Sequence, residues 1–210
     1  MKTLGLLLLL SSVTYATSNE QLIDQTEPKV VKIGIITNKG TGGCSGAFIN
    51  PDGTVLTCAH CFEHDKVQKV FIKNSKGEFW KAELKAIDFK RDLALIGPTE
   101  DIAKVQYFVF GKEVKRGMSV LSFGSPLGYQ HTVTIGYVTN LITQTYLFVF
   151  HSAFISPGNS GGPLVNMKGE LVGVNEAMLG YGFMQMAHGL YVAISVDTIK
   201  DFLKGTDYEI

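Results

Sequence analysis

The stretch Pro157-Gly158-Asn159-Ser160-Gly161-Gly162-Pro163 places one serine among glycines, immediately before the apolar pair Leu164-Val165. Glycines remove side-chain bulk, so a substrate backbone can approach the serine closely and unusual dihedral angles cost little. This pattern predicts a hydroxyl held on a tight turn at the mouth of a strand, which is how a nucleophile is presented. Serine is inert at neutral pH without a base, so the prediction requires a histidine and an orienting carboxylate elsewhere in the chain.

A histidine and an aspartate with suitable surroundings both precede this serine. His60 ends the apolar run Val55-Leu56-Thr57-Cys58-Ala59, and Asp92 begins the run Leu93-Ala94-Leu95-Ile96. A carboxylate beside apolar residues is partly buried and needs a hydrogen-bonding partner, which the histidine would supply. The order His60, Asp92, Ser160 fits the template in which the serine attacks, the histidine takes its proton and the aspartate fixes the histidine tautomer.

In this order and spacing, the motifs resemble those of the chymotrypsin-fold (trypsin-like) serine peptidases, and within them the HtrA/Deg-like branch. The resemblance covers roughly residues 28–205. It also rests on Gly40-Thr41-Gly42-Gly43 before the first hairpin, Gly124-Ser125-Pro126-Leu127-Gly128 and Thr134-Ile135-Gly136-Tyr137-Val138. It implies a serine endopeptidase that hydrolyses polypeptides through an acyl-enzyme intermediate. His60, Asp92 and Ser160 would be its catalytic residues, and no metal or cofactor is expected.

Twelve short apolar runs separated by glycine turns follow residue 28, and runs at this regular spacing predict a sandwich or barrel. They are 30–37, 47–49, 54–57, 67–73, 79–88, 93–96, 119–123, 132–140, 146–151, 163–165, 171–175 and 191–194. They form two sets of about six, which predicts an all-β fold of two six-stranded antiparallel barrels (29–105 and 106–210) with the substrate cleft between them. Ser195 as N-cap and Gly205 predict a short closing helix. No PDZ-like module is recognised after it, unlike in most HtrA proteins.

Charge and the first residues bear on the compartment. The 19 basic and 19 acidic residues balance, which gives no reason to expect nucleic acid or an anionic membrane as partner. Lys2, the apolar run 4–10 and the small-x-small site Thr14-Tyr15-Ala16 predict a signal peptide over 1–16. An uncleaved membrane anchor is the alternative, and it is disfavoured because the run is shorter than the about 20 residues that span a bilayer. We expect a secreted or periplasmic protein with a flexible lead-in over 17–28, no membrane attachment after signal cleavage, and a monomeric state.

Three cysteines, Cys44, Cys58 and Cys61, leave one unpaired if a disulfide forms in an oxidising compartment. The resemblance implies a Cys44–Cys61 disulfide that brackets His60, with Cys44 just before a strand. The pairing Cys58–Cys61 stays open, although it would close a very short loop. Cys58 lies two residues before His60 on the same predicted strand, so we expect a free, buried thiol on the same face as His60.

The resemblance also assigns residues around the substrate. Gly158, Asn159 and Ser160 would form the oxyanion hole, with the backbone N–H groups of Gly158 and Ser160 as donors. Asn159 replaces the aspartate that pairs with a new N-terminus in digestive-type relatives, which predicts no activation by N-terminal insertion. Phe154 and the edge strand Asn175-Glu176-Ala177-Met178 would bind the substrate and line its specificity pocket.

Phe154 offers no counter-charge, which disfavours lysine or arginine at the P1 position of the substrate. Together with Met178 it would narrow the pocket, favouring small or medium aliphatic residues. Glu176 departs from the small hydroxyl residue of the relatives, and two neighbouring carboxylates would raise the pKa of one of them. His151 and His188 are further candidates for the pocket wall.

Other functional classes fit less well. An α/β-hydrolase needs its aspartate and then its histidine after the serine, but every aspartate after Ser160 follows His188. A thiol–disulfide oxidoreductase using Cys58 and Cys61 lacks the surrounding βαβ pattern. A zinc site of Cys58, Cys61 and His64 lacks a fourth ligand. A pseudoprotease, which would keep the fold as a binding module without activity, depends on geometry alone and stays open.

Overall fold

The computed structural model describes residues 18–63, 66–129, 132–178 and 189–208. Within them the chain forms two closed six-stranded antiparallel β-barrels followed by a short C-terminal helix, which confirms the predicted all-β, chymotrypsin-like fold. The first barrel contains β1 (Val30–Thr37), β2 (Thr41–Phe48), β3 (Val55–Thr57), β4 (Val67–Asn74), β5 (Phe79–Asp88) and β6 (Leu93–Pro98). The second contains β7 (Ser119–Gly124), β8 (Thr132–Thr143), β9 (Leu147–His151), β10 (Pro163–Asn166), β11 (Leu171–Met178) and β12 (Tyr191–Ser195). The α-helices are α1 (Asn19–Thr26) and α2 (Val196–Leu203).

The two barrels share one strand order. It runs β1-β2-β3-β6-β5-β4 in the first barrel and β7-β8-β9-β12-β11-β10 in the second. In β1 the side chains of Val31, Ile33 and Ile35 are buried in alternation with less buried neighbours, as the period of two of a strand requires. Each of the twelve predicted apolar runs overlaps one of the twelve strands.

Two strand boundaries near His60 differ from the prediction. β2 begins at Thr41, so Cys44 and the glycines before it lie inside the strand and its hairpin rather than ahead of them. β3 ends at Thr57, and a 3₁₀ turn over Ala59–Phe62 follows it. His60 and Cys58 therefore do not share a strand, and the turn rather than strand alternation sets the direction of the His60 side chain.

The predicted flexible lead-in is instead a helix where the structure describes it. The Ser18 side chain accepts a hydrogen bond from the Gln21 N–H, and the Gln21 side chain binds the Ser18 N–H in return. This capping box satisfies N–H groups that have no partner within a helix. Leu22 and Thr26 are buried, and Leu22 belongs to a hydrophobic cluster with residues of both barrels. The Leu22 side chain also lies beside Gly169, in the turn between β10 and β11, so α1 packs against the second barrel.

One hydrophobic cluster joins the barrels and α2. It includes Leu56, Leu93 and Leu95 from the first barrel, Leu121, Phe123, Val165 and Leu171 from the second, and Ile199, Phe202 and Leu203 from α2. Ser195 caps α2 as predicted, because its side chain accepts from the Thr198 N–H at 3.2 Å. The shared core brings the C-terminal end of β3 close to the turn that carries Ser160.

Neither α1 nor α2, each of eight residues, is long enough to cross a membrane, and no other helix in the described ranges has the length and apolarity to do so. Residues 1–17, which carry the predicted signal peptide, lie outside the described part of the chain.

Candidate active site

His60 and Asp92 form a closely bonded pair. Asp92 precedes β6 with a φ of 54°, in the left-handed region that aspartate tolerates better than most residues. Its Oδ1 accepts the His60 backbone N–H at 2.7 Å, and its Oδ2 lies 2.7 Å from His60 Nδ1. The hydrogen bond to Asp92 raises the pKa of His60 above its usual value, while partial burial opposes the rise. The carboxylate thus orients both the ring and the backbone of the histidine.

Ser160 lies where the two barrels meet. Its carbonyl accepts a hydrogen bond from the Ser45 N–H of β2 at 2.8 Å. The N–H of the next residue, Gly161, donates to the Asn175 carbonyl of β11 at 2.8 Å. One strand from each barrel therefore holds the backbone of this turn.

Gly161 meets a steric requirement that only glycine satisfies here. Its φ is +83°, and a Cβ at this position would lie 2.1 Å from Thr57 Oγ1 and 2.3 Å from the Ser45 carbonyl oxygen. The close approach of the turn to β2 and β3 thus depends on the missing side chain. The glycine-rich sequence signal arises from this contact.

The Ser160 hydroxyl points toward β11 in this structure. Its Oγ donates to the Glu176 carbonyl at 3.2 Å, and no hydrogen bond links it to His60 among the described residues. Hydrogen bonds between a nucleophile and its base are often long or misaligned without substrate and tighten when substrate binds. Transfer of the Ser160 proton to His60 would first require the Ser160 side chain to rotate away from the Glu176 carbonyl.

The backbone around Gly158 presents free donors. Gly158 has a φ of +103°, and its carbonyl accepts from Ser45 Oγ at 2.7 Å. Within the described residues, neither the Gly158 N–H nor the Ser160 N–H has a protein partner, whereas the Asn159 N–H donates to the Ser156 carbonyl at 2.9 Å. Of the three predicted oxyanion-hole residues, Gly158 and Ser160 therefore each offer a free N–H, whereas the Asn159 N–H is already bonded.

Glu176 is the extra residue of a β-bulge. The pairing of β11 with β12 shifts between Asn175 and Ala177, so Glu176 has no partner across the ladder. A bulge frees a backbone carbonyl from the ladder, and it is this carbonyl that accepts from Ser160 Oγ. Burial raises the pKa of the Glu176 carboxyl to about 7, with the Asp92 charge adding to the rise and the His60 charge opposing it. Burial, more than the neighbouring Asp92 carboxylate, is the cause of this rise in the Glu176 pKa.

Among the residues predicted for the specificity pocket, the structure describes the Phe154 side chain and the backbone of the strand edge at 176–178. The Phe154 side chain is 56% exposed and packs edge-on against Tyr191, with ring centroids 5.5 Å apart. β10 pairs with β11 only as far as Val174, so residues 176–178 have one edge without a strand partner in the described chain. The side chains of Ala177 and Met178 lie outside the described part.

Asn175 does not bind substrate through its side chain. The side chain is fully buried, and its Nδ2 donates to Ser122 Oγ at 3.0 Å and to the Pro163 carbonyl at 3.4 Å. The prediction that it lines the pocket is wrong for this side chain, because the side chain tethers β11 to β7 and β10 instead. Only its backbone faces the serine turn.

His151 is also a core residue. Its ring is fully buried with its centroid 6.0 Å from that of Tyr191, and burial lowers its pKa to about 4. It is therefore neutral at physiological pH. The other histidines considered in the sequence, His64, His131 and His188, lie outside the described residues.

The disulfide found in the structure decides the cysteine pairing and bears on the redox and zinc alternatives. Cys44 and Cys61 form a disulfide, as the resemblance implied, and the pairing Cys58–Cys61 is wrong. Cys58 is a free, buried thiol, and its Sγ donates to the Asn175 carbonyl at 3.3 Å. Because Cys61 is already bonded to Cys44, it provides neither the second thiol of a Cys-x-x-Cys redox pair nor a thiolate ligand for zinc.

One group of potential metal ligands exists among the described residues. Cys58, His60 and Asp92 each offer an atom within 4.8 Å of the others. These potential ligand atoms already make hydrogen bonds within the protein. Asp92 Oδ2 bonds His60 Nδ1, and the Cys58 thiol donates to the Asn175 carbonyl. Burial first, and then the nearby charges of Asp92 and Glu176, raises the pKa of Cys58, which opposes formation of the thiolate that a metal prefers. The group fits a hydrogen-bonded site better than a metal centre.

The sequence analysis missed Ser45. Its hydroxyl contacts Gly158, 113 positions away, and the Ser125 N–H, 80 positions away. A serine within the small-residue stretch of β2 carries no local signal of such contacts, and only the folded structure reveals them.

Comparison with known proteins finds similar sequences over most of the chain. Residues 44–174 match the family described as the trypsin-like peptidase domain. Mouse serine protease HTRA4 is 30% identical over 201 residues, which are 87% of this chain and 40% of that protein. A probable periplasmic serine endoprotease DegP-like from Pseudomonas savastanoi pv. phaseolicola is 37% identical over 167 residues, which are 75% of this chain and 33% of that protein.

A solved structure supports the same fold. The HtrA-type protease AlgW with tripeptide superposes with a TM-score of 0.80 at 24% identity, covering 90% of this chain and 63% of that one. The chain spans 40% of the length of mouse HTRA4 and 33% of the length of the Pseudomonas savastanoi relative.

Proposed function

Because the chain belongs to the trypsin-like peptidase domains of the HtrA/DegP serine protease family, we propose that it is a serine endopeptidase with His60, Asp92 and Ser160 as its catalytic triad. The observation that carries this proposal is the double hydrogen bond from Asp92 to the ring and backbone of His60. The Ser160 turn, braced between the two barrels, supports it. The geometry fits the acyl-transfer template, in which a fixed histidine tautomer activates a serine.

Catalysis would proceed in two steps. In the first, Ser160 Oγ attacks the scissile carbonyl carbon while its proton moves to His60 Nε2. The tetrahedral intermediate then expels the amine, which takes that proton, and leaves an ester on Ser160. In the second step, water loses a proton to His60 and attacks the ester, and His60 returns the proton to Ser160 Oγ as the acid leaves. Asp92 stabilises the imidazolium that forms in each step.

The oxyanion would be bound by the N–H groups of Gly158 and Ser160. Both are without a protein partner in the described chain, and the positive φ of Gly158 is accessible to glycine at little cost. Removal of one such donor typically costs about 10²–10³ in rate. Asn159 contributes to the turn through its N–H bond to Ser156 rather than to the oxyanion.

Substrate would bind as an extended strand along the unpaired edge of residues 176–178, the mode in which peptides add to a sheet edge. Phe154 provides no charge for a basic P1 side chain, so we assign small or medium aliphatic P1 residues. Asn159, which is neutral, cannot form an ion pair with a new N-terminus, so activity would not need N-terminal cleavage.

The site of action would be outside the cytoplasm. The residues predicted to form a signal peptide, 1–16, support export, and two of the relatives from Pseudomonas species are named as probable periplasmic endoproteases. The Cys44–Cys61 disulfide is consistent with an oxidising compartment. We propose that the protein acts on polypeptides there as a monomer.

A pseudoprotease is the second candidate. One observation favours it: the Ser160 hydroxyl donates to the Glu176 carbonyl rather than to His60. Proteolysis of reduced, carboxymethylated casein decides between the two. The proposal predicts cleavage by the wild-type protein and by Ser75→Ala, a control in the turn between β4 and β5, but none by Ser160→Ala. Mass spectrometry of the products would place the cuts after small or medium aliphatic residues. Equal lack of cleavage by all three proteins would support the pseudoprotease.

A further inference from the structure

The Ser45 hydroxyl joins the first barrel to two loops of the second. The residue lies on β2 and is fully buried. Its Oγ donates to the Gly158 carbonyl at 2.7 Å and accepts from the Ser125 N–H at 2.8 Å. A single hydroxyl thus donates to one segment and accepts from another, and both segments are distant from it in sequence.

Two consecutive peptide groups of the turn 157–160 are held through these contacts. The Gly158 carbonyl, which binds Ser45 Oγ, belongs to the same planar peptide as the Asn159 N–H, which binds Ser156. The Pro157 carbonyl accepts the Leu127 N–H at 2.9 Å, and in a planar trans peptide the Gly158 N–H points the opposite way. The direction of the proposed oxyanion donor is therefore set by its neighbours.

Ser45 acts on the second peptide group indirectly. The Ser125 N–H that it accepts lies immediately before the 3₁₀ turn Pro126–Gly128, whose central Leu127 has a φ of 51° and donates to Pro157. The fit is close, because a Cβ on Gly158 would lie 2.6 Å from the Ser125 carbonyl oxygen. Ser45 thus fixes one side of the turn directly and the other through Ser125.

We propose that Ser45 is a positioning residue that holds the Gly158 N–H in the direction needed to bind the oxyanion. The proposal rests on the proposed function, since it concerns the same site. Alanine at position 45 would keep the backbone bond from the residue 45 N–H to the Ser160 carbonyl but would leave the Ser125 N–H and the Gly158 carbonyl without their partner. The enzyme would then stabilise the transition state less well, while its binding of the ground-state substrate would stay the same.

The test compares Ser45→Ala with Ser195→Ala, a matched control. Ser195 is also a fully buried serine whose hydroxyl accepts a backbone N–H, but it caps α2 instead of contacting the turn. Both variants should lower the thermal midpoint by about 2–4 °C. We expect kcat to fall roughly 10–100-fold in Ser45→Ala with KM within about threefold of wild type, and both constants to be unchanged in Ser195→Ala.

Amide hydrogen exchange of the peptide covering residues 153–160 provides a readout independent of activity. Loss of the Ser45 bonds should speed exchange there roughly 5–10-fold, the effect of about one hydrogen bond, with no change in Ser195→Ala. Equal kcat in the two variants, or unchanged exchange in Ser45→Ala, would overturn the proposal. A wild-type protein that cleaves nothing would instead refute the proposed function, and the exchange result would still decide whether Ser45 holds the turn.

Discussion

Asp92 binds His60 through both of its carboxylate oxygens, one at the backbone N–H and one at the ring Nδ1, each at 2.7 Å. The bond to the backbone fixes the 3₁₀ turn that carries His60, and the bond to the ring fixes the tautomer that leaves Nε2 free to accept a proton. One side chain thus connects the loop before β6 to the turn after β3. The arrangement is suited to a histidine that must gain and lose a proton without moving.

Replacement of Asp92 by asparagine tests the role of the charge. Asparagine tolerates the positive φ of this position as well as aspartate does, so the backbone should be retained. Its amide would favour the wrong imidazole tautomer, and we expect kcat to fall by about 10⁴. Steady-state kinetics on a chromogenic peptide would measure it, with circular dichroism to verify the fold. A folded variant with kcat within tenfold of wild type would contradict the assigned role.

Glu176→Gln tests whether the third carboxyl influences the base. His60 must be neutral to accept a proton, and the charges of Asp92 and Glu176 raise its pKa. The Glu176 carboxyl, whose pKa is about 7, carries its charge only in the upper part of the pH range over which His60 titrates. Removing that charge should therefore lower the His60 pKa modestly and move the acidic limb of the kcat/KM profile to lower pH. Glu63→Gln is the matched control, since the Glu63 charge raises the same pKa by less, and a smaller shift is expected. An acidic limb that stays in place or moves to higher pH in Glu176→Gln would refute the coupling.

The close contact at Gly161 predicts a large loss of stability on substitution. Gly161→Ala would force a Cβ to within 2.1–2.3 Å of β2 and β3 atoms, whereas Gly77, with a similar φ of +85°, has nothing within 4 Å of its Cβ position. We expect Gly77→Ala to lower the free energy of unfolding by about 1 kcal/mol through backbone strain alone. Gly161→Ala should lower it by more than about 4 kcal/mol. Urea denaturation measures both, and equal losses would show that the contact does not matter.

The buried thiol of Cys58 should not react in the native protein. It is fully buried, and burial raises its pKa, so little thiolate is exposed to a reagent. Iodoacetamide at neutral pH should leave the folded protein unmodified and should add one carbamidomethyl group after denaturation without reductant. Cys58→Ala should retain proteolytic activity. Rapid modification of the native protein, or a second reactive thiol, would instead support thiol chemistry at this site.

The sequence predicts the barrels well because their signal is local. Glycine turns and apolar runs mark every strand, and β1 and β5 have the predicted bounds. The α1 helix was missed because its composition is polar; its stability comes from the Ser18–Gln21 capping box and from the burial of Leu22.

The site was predicted less completely, for a different reason. His60, Asp92 and Ser160 occupy motifs, and motifs are visible in sequence. The tether made by Asn175, the bulge at Glu176 and the link made by Ser45 depend on partners from distant strands. No local pattern encodes such contacts, so they emerge only after the barrels are packed together.

Covalent labelling by a fluorophosphonate, read by intact mass, tests the central claim most directly. The probe forms a P–O bond with an activated serine hydroxyl and releases fluoride, and the histidine base takes the proton. The account predicts one adduct on the wild-type protein and none on Ser160→Ala or on His60→Ala. The absence of an adduct on the folded wild-type protein, or an adduct that persists in Ser160→Ala, would contradict the assignment of Ser160 as the nucleophile.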